Sequence, residues 1–185
     1  LTGAVFTSIL GNPKNNGMET LELDEDEVKT MTFDLKRELL RHLVAALTFR
    51  ARIAVAGAPE NFAAFKIDET VRTPAEILAH LGDLLQGSLY LMKGELVYLN
   101  SRPLAWKEES ARFFSAAEKL DSYLASDAPL NQPVEKITQG PIADALTHVG
   151  QIVMLRRAAG SPVRVESYFT VEIVPAEIHT ESFAR

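Results

Sequence analysis

The sequence predicts an all-α fold, a four-helix bundle with an irregular N-terminal arm and an extended C-terminal tail. Two observations carry that prediction: long segments in which apolar residues recur at three- and four-residue steps, and strong start and stop chemistry between them. A third fits them. The chain has 185 residues, 46% of them hydrophobic, and no cysteine, enough to bury a core without a disulfide or a structural metal. A bound metal would therefore serve function rather than folding.

The elements follow in order. Residues 1–17 read as an arm, because Gly11, Asn12, Pro13, Asn15, Asn16 and Gly17 favour turns, and the acidic stretch 24–31 reads as a ragged helical lead-in. Together, residues 1–31 precede a bundle over 32–160, and 161–185 form a tail packed on it. The first strong helix spans about 32–56, with Leu35, Leu39, Leu43, Ala46 and Leu47 on its packing stripe and Gly57 and Pro59 as its stop. Residues 58–72 connect, and Phe62, Phe65 and Ile67 are expected to pack across a helix face. Thr73-Pro74-Ala75-Glu76 has the form of a capping box with proline at the first helical position. The helix it opens runs to about Met92, with Ile77, Leu81, Leu84, Leu85, Ser88 and Leu91 facing inward.

A third helix covers about 103–125, started by Pro103, with Phe113, Phe114, Ala117, Leu120 and Leu124 buried and Trp106 closing one end of the core. Residues 126–140 read as a connection. The fourth helix is expected from Gly140-Pro141 to about Ala159, ended by Gly160-Ser161-Pro162. The tail from Val163 to Ile173 alternates in places, but one short strand makes no sheet, so it should wrap against the helices.

Charge and composition exclude several classes. The formal net charge of −6 gives no global attraction for a polyanion, and the fourth helix has its arginines only at its far end, so no nucleic-acid partner is expected. No apolar run approaches about 18 residues, so no membrane span is expected. The opening segment has no basic stretch or A-x-A-like site of a secretory signal, and a cytoplasmic chain is the expectation. There is no G-x-S-x-G elbow and no thiol nucleophile; Ser88 and Ser110 read as packing or surface residues. AGAPENF and AAGSP are turns after helices, without the setting of a phosphate-binding loop. Glu108, Glu109 and Glu118 form no convincing catalytic pair.

The constellation that carries chemistry is His80 with Asp144 and His148. Asp144 and His148 are four apart, so they stand one above the other on a helix face. If the second and fourth helices face each other, His80 completes a set of two nitrogens and an oxygen. Such a set suits a divalent ion such as zinc, nickel or iron, with positions left open. The alternatives are a satisfied interior histidine at 80 and an acid at 144 placed by the helix dipole. Gln151 can orient a ligand or satisfy another polar group. His42 can reach the same cavity or mark a helix boundary. Arg156 and Arg157 complement the helix dipole or bind an anion.

The stretches TPAEILAHLGDLLQGSLYLMKGE and GPIADALTHVGQIVMLRRAAGSP resemble the DinB-like superfamily over about residues 32–160. The resemblance implies an up-down-down-up bundle and a divalent metal held by one histidine from the second helix and an H-x-x-x-H pair from the fourth. His80 matches the first and His148 the second of the pair, while Asp144 stands where the first of the pair is usually histidine. It further implies a metal-dependent enzyme acting on a small-molecule substrate, a thiol-dependent transferase using a low-molecular-weight thiol or a hydrolase, and a homodimer. A metal-free binding or stress-associated structural protein is the alternative.

Overall fold

The computed structural model describes residues 5–6, 21–164 and 167–175. The chain divides into two units, 1–37 and 38–185. In the first, β1 (Val5–Phe6) and β2 (Leu21–Glu22) pair antiparallel, with Val5 opposite Glu22. Two residues per strand are far too few for a sheet, so the fold remains all-α. The rest of the expected arm lies outside the described residues.

Helix α1 runs Glu25–Val55, seven residues longer at its start than the stripe predicts. Its acidic opening is a capped terminus: Asp24 Oδ1 accepts the Glu27 N–H at 2.8 Å, and Glu27 Oε2 accepts the Asp24 N–H at 3.0 Å. Two otherwise orphaned donors are satisfied, and Glu25, Asp26 and Glu27 complement the dipole. The packing stripe also differs from expectation. Leu40, Val44, Leu47, Ala51 and Ala54 are fully buried, whereas Leu39 is 59% and Leu35 64% exposed.

A short 3₁₀ turn, Glu60–Ala64, buries Phe62, whose ring meets Trp106 edge-on at 5.4 Å between centroids. Ile67, expected to pack, is instead exposed. Helix α2 (Pro74–Met92) starts as predicted: Thr73 Oγ1 accepts the Glu76 N–H and Glu76 Oε2 accepts the Thr73 N–H. Ile77, Leu81, Leu85 and Ser88 are buried, with Leu84 and Leu91 at the edge. Helix α3 (Trp106–Leu124) begins three residues after Pro103 and buries Phe113, Ala117, Leu120 and Leu124.

The fourth bundle helix is three joined pieces: α4 (Val134–Ile137), a π-turn (Thr138–Ile142) and α5 (Ala143–Ala158). It begins well before Gly140-Pro141, because Pro141 sits inside it. A proline lacks the N–H of its turn and crowds the carbonyl four residues back; the wider π-turn accommodates both.

Cross-contacts fix the helix directions. Arg41 Nε donates to Asp121 Oδ1 at 3.0 Å and Arg52 lies over the Phe114 ring, so α1 and α3 are antiparallel. Arg112 donates to the Ala79 carbonyl and Tyr123 Oη to that of Met92, so α2 and α3 are parallel. His80 of α2 meets Asp144 of α5, while Ile77 lies near Leu155 and Leu91 near Gln139, so these two are antiparallel. The order is up-down-down-up.

Arg156 is buried at the far end. Its guanidinium donates to the Ala54, Ala56 and Gly57 carbonyls and to Ser161 O and Oγ. It thus caps the C-terminal carbonyls of α1 rather than facing an anionic ligand, while Arg157 is exposed. Gly57 and Gly160 adopt positive φ of 60° and 72°, the left-handed backbone that ends α1 and α5. Past Gly160, the described tail turns at Tyr168–Thr170, with the Tyr168 ring under Arg50 at 4.0 Å and Ile173 packed on the core. No helix among the described residues is long and apolar enough to cross a membrane.

Candidate metal centre

The α2 and α5 faces bring the three predicted residues together. His80 sits two turns past the Thr73 cap on α2, between the buried Ala79 and Leu81. Asp144 and His148 follow the π-turn, where Ile142, Ala145 and Val149 anchor α5 in the core and leave positions 144 and 148 at the seam. Asp144 Oδ2 lies 3.3 Å from His80 Nε2, and Asp144 Oδ1 lies 3.4 Å from His148 Nε2. The two rings meet edge to face at 4.8 Å between centroids. One donor atom from each residue falls within 4.8 Å of the others.

Gln151, one turn further along α5, holds His148: its Oε1 lies 2.8 Å from His148 Nδ1. With the amide oxygen toward the ring, Nδ1 carries the proton and donates it. The Nε2 lone pair is then left facing Asp144. In that tautomer a metal ion would be held between Nε2 and the carboxylate; with the Gln151 amide turned, Nε2–H donates to Asp144 directly.

The donor set fits a divalent ion. Four ligands at about 2.1 Å around a tetrahedral ion are about 3.4 Å apart, the scale of the two carboxylate–imidazole separations, each made by a different Asp144 oxygen. Taken one atom per residue, the donors lie within 4.8 Å of one another. The side chains of His80, Asp144 and His148 are 32%, 47% and 13% exposed, so the centre is open on one side.

Two clefts flank it along the α2/α5 seam. A groove of about 620 Å³ reaches Asp144 and is lined by Asp83, Leu84, Ser88, Leu91, Pro141 and Thr147 among others. A smaller cleft of about 330 Å³ reaches His148 and Gln151, between Ile77, Leu155, Met154 and the 67–72 segment. His42 is exposed on α1 and lines neither cleft.

A second polar cluster, which local spacing does not reveal, lies one turn along α2, where the helix meets α3. Asp83 accepts the Ser101 N–H and hydroxyl, both at 2.7 Å, and the Arg112 guanidinium at 2.9 Å. Arg112 also pairs with Glu109, which is fully buried and accepts the Leu104 N–H. Burial raises the Asp83 pKa, but the Ser101 and Arg112 hydrogen bonds and the adjacent positive charge outweigh it, holding the carboxyl below its usual value. Glu109 is thus a structural acid pinning the 93–105 connection. Ser88 and Ser110 donate to their own helix backbones, as packing residues do.

Comparison with protein-family models, curated proteins and solved structures finds no match to this chain. What the molecule itself presents is a helical bundle with a His/Asp/His cluster able to coordinate a metal ion.

Proposed function

We propose that the chain is a divalent-metal-dependent enzyme of the DinB-like type, with His80, Asp144 and His148 as its ligands and a small molecule as its substrate. The observation that carries this is one carboxylate set between two imidazole Nε2 atoms at 3.3 and 3.4 Å, at the junction of two clefts. The up-down-down-up helix order agrees with the resemblance. An ion held there supplies Lewis acidity and lowers the pKa of a thiol or water bound beside it. Gln151 keeps the His148 lone pair directed inward, and Asp144 offsets part of the ion's charge.

Two clefts meeting at one centre favour group transfer between two small molecules, a low-molecular-weight thiol and an electrophile, over hydrolysis. Zinc, nickel and iron all suit a two-nitrogen, one-oxygen set. A homodimer belongs to the same reading and rests on the resemblance; residence in the cytoplasm is proposed with it and does not.

The metal-free reading, a binding or stress-associated structural protein, has one observation in its favour. Each Asp144 oxygen already faces one imidazole, so two Nε2–H donors would satisfy the carboxylate without an ion. Cobalt(II) titration separates the two. The metal-dependent reading expects the intense visible absorption of a low-coordinate nitrogen–oxygen site, lost in His80→Ala and in His148→Ala. The weak spectrum of hydrated cobalt in the unaltered protein would contradict it.

A further inference from the structure

The cleft beside His148 has a composition of its own. Ile67, Val71 and Met154, three large apolar side chains 54%, 39% and 53% exposed, all line it, over a floor of buried Ile77 and Leu155. Apolar groups gathered around one concavity, rather than scattered singly, mark a surface that gains by being covered. Its volume of about 330 Å³ holds roughly ten water-sized groups at about 30 Å³ each. That is the scale of a small organic molecule rather than a helix or a second protein chain.

One charged residue lines this cleft. Arg72 stands just before the Thr73 cap and is exposed. Its charge acts on Glu76, one turn along, but the Glu76 carboxylate is hydrogen-bonded to Thr73, and the guanidinium has no hydrogen bond among the described residues. A guanidinium with free donors at the rim of an apolar cleft complements a carboxylate, which it binds through two parallel N–H bonds. The other polar groups lining it are the largely covered His148 and the exposed Gln151.

We propose that this cleft binds a carboxylate-bearing small molecule with an apolar body. Arg72 holds its anionic end, Ile67, Val71, Ile77 and Met154 cover its body, and its other end faces His148. As a substrate assignment this rests on the metal-dependent reading of the triad, while the binding itself does not require an ion.

Octanoate, 1-octanol and octylamine are suitable probes, with affinity measured by calorimetry and location by the Met154 methyl resonance. Octanoate is expected to bind at least tenfold more tightly than the other two and to shift the Met154 methyl. Arg72→Ala should remove that preference and Arg72→Lys should keep part of it; Arg72 is exposed, so neither change strains the core. Equal affinity for the three probes would overturn the proposal, as would a preference for octanoate that survives Arg72→Ala. Chelation reports on the other reading separately: octanoate binding that persists in chelated protein upholds the cleft even if no metal site exists. Cobalt binding without an Arg72-dependent preference upholds the metal site and sinks the cleft.

Discussion

Helix α2 carries a polar cluster on each of two faces, and the two are built on opposite plans. Toward α3, Asp83, Ser101, Glu109 and Arg112 are buried or half-buried, and every buried side-chain donor and acceptor among the described residues has a partner. Toward α5, His80, Asp144 and His148 are partly open to solvent and set two imidazole nitrogens against one carboxylate. The first cluster is sealed inside the fold; the second lies open at a helix seam, each Asp144 oxygen facing one imidazole. A polar cluster closed off by its own fold holds structure together, whereas one open at a seam is placed where something from outside can reach it.

That difference predicts opposite responses to substitution. The largest effect on stability belongs to the α2/α3 side. Arg112→Ala leaves Asp83 and Glu109 buried without their counter-charge and should cost about 3 kcal/mol in denaturant unfolding. The same cluster sets acid sensitivity. Because the Asp83 pKa is lowered on folding, its contribution is present above the unfolded value of about 3.9 and fades as pH falls through the lower folded value. Asp83→Asn should therefore lower stability at neutral pH and flatten its decline below about pH 4.

Arg156→Ala comes next, at about 2 kcal/mol, since it strips the cap from the α1 carbonyls at the bundle's far end. Thr73→Ala, which opens one capping box, should cost about 1 kcal/mol. Asp144→Asn should change stability by no more than about 0.5 kcal/mol while weakening divalent-metal binding at least tenfold. A large loss of stability from Asp144→Asn would erase the distinction between the two clusters.

Sequence pattern resolves some of this molecule and not the rest, for identifiable reasons. The α2 start was legible because Thr73 and Glu76 do their capping within four residues. The triad was legible because Asp144 and His148 share a helix face and His80 falls in a recognisable stretch. The α1 stripe was displaced because Leu39 and Leu40, Leu43 and Val44, and Ala46 and Leu47 are adjacent pairs. Their width leaves the buried face to be chosen by packing. The start of the fourth helix was missed because Gly140-Pro141 ordinarily opens a helix, and a π-turn that accommodates the proline has no local signature. Asp83 and Arg112 are too far apart in sequence for spacing to connect them, and Arg72 is an ordinary surface arginine until the α5 side chains of the cleft are beside it.

Elemental analysis of protein purified without chelator tests the metal centre most directly. The triad geometry predicts about one divalent transition-metal ion per chain, reduced severalfold in His148→Ala and in Asp144→Asn with helical content unchanged. Protein that is metal-free as isolated and stays so after dialysis against zinc, nickel and iron(II) would contradict it, leaving Asp144 as the hydrogen-bond acceptor of two imidazoles.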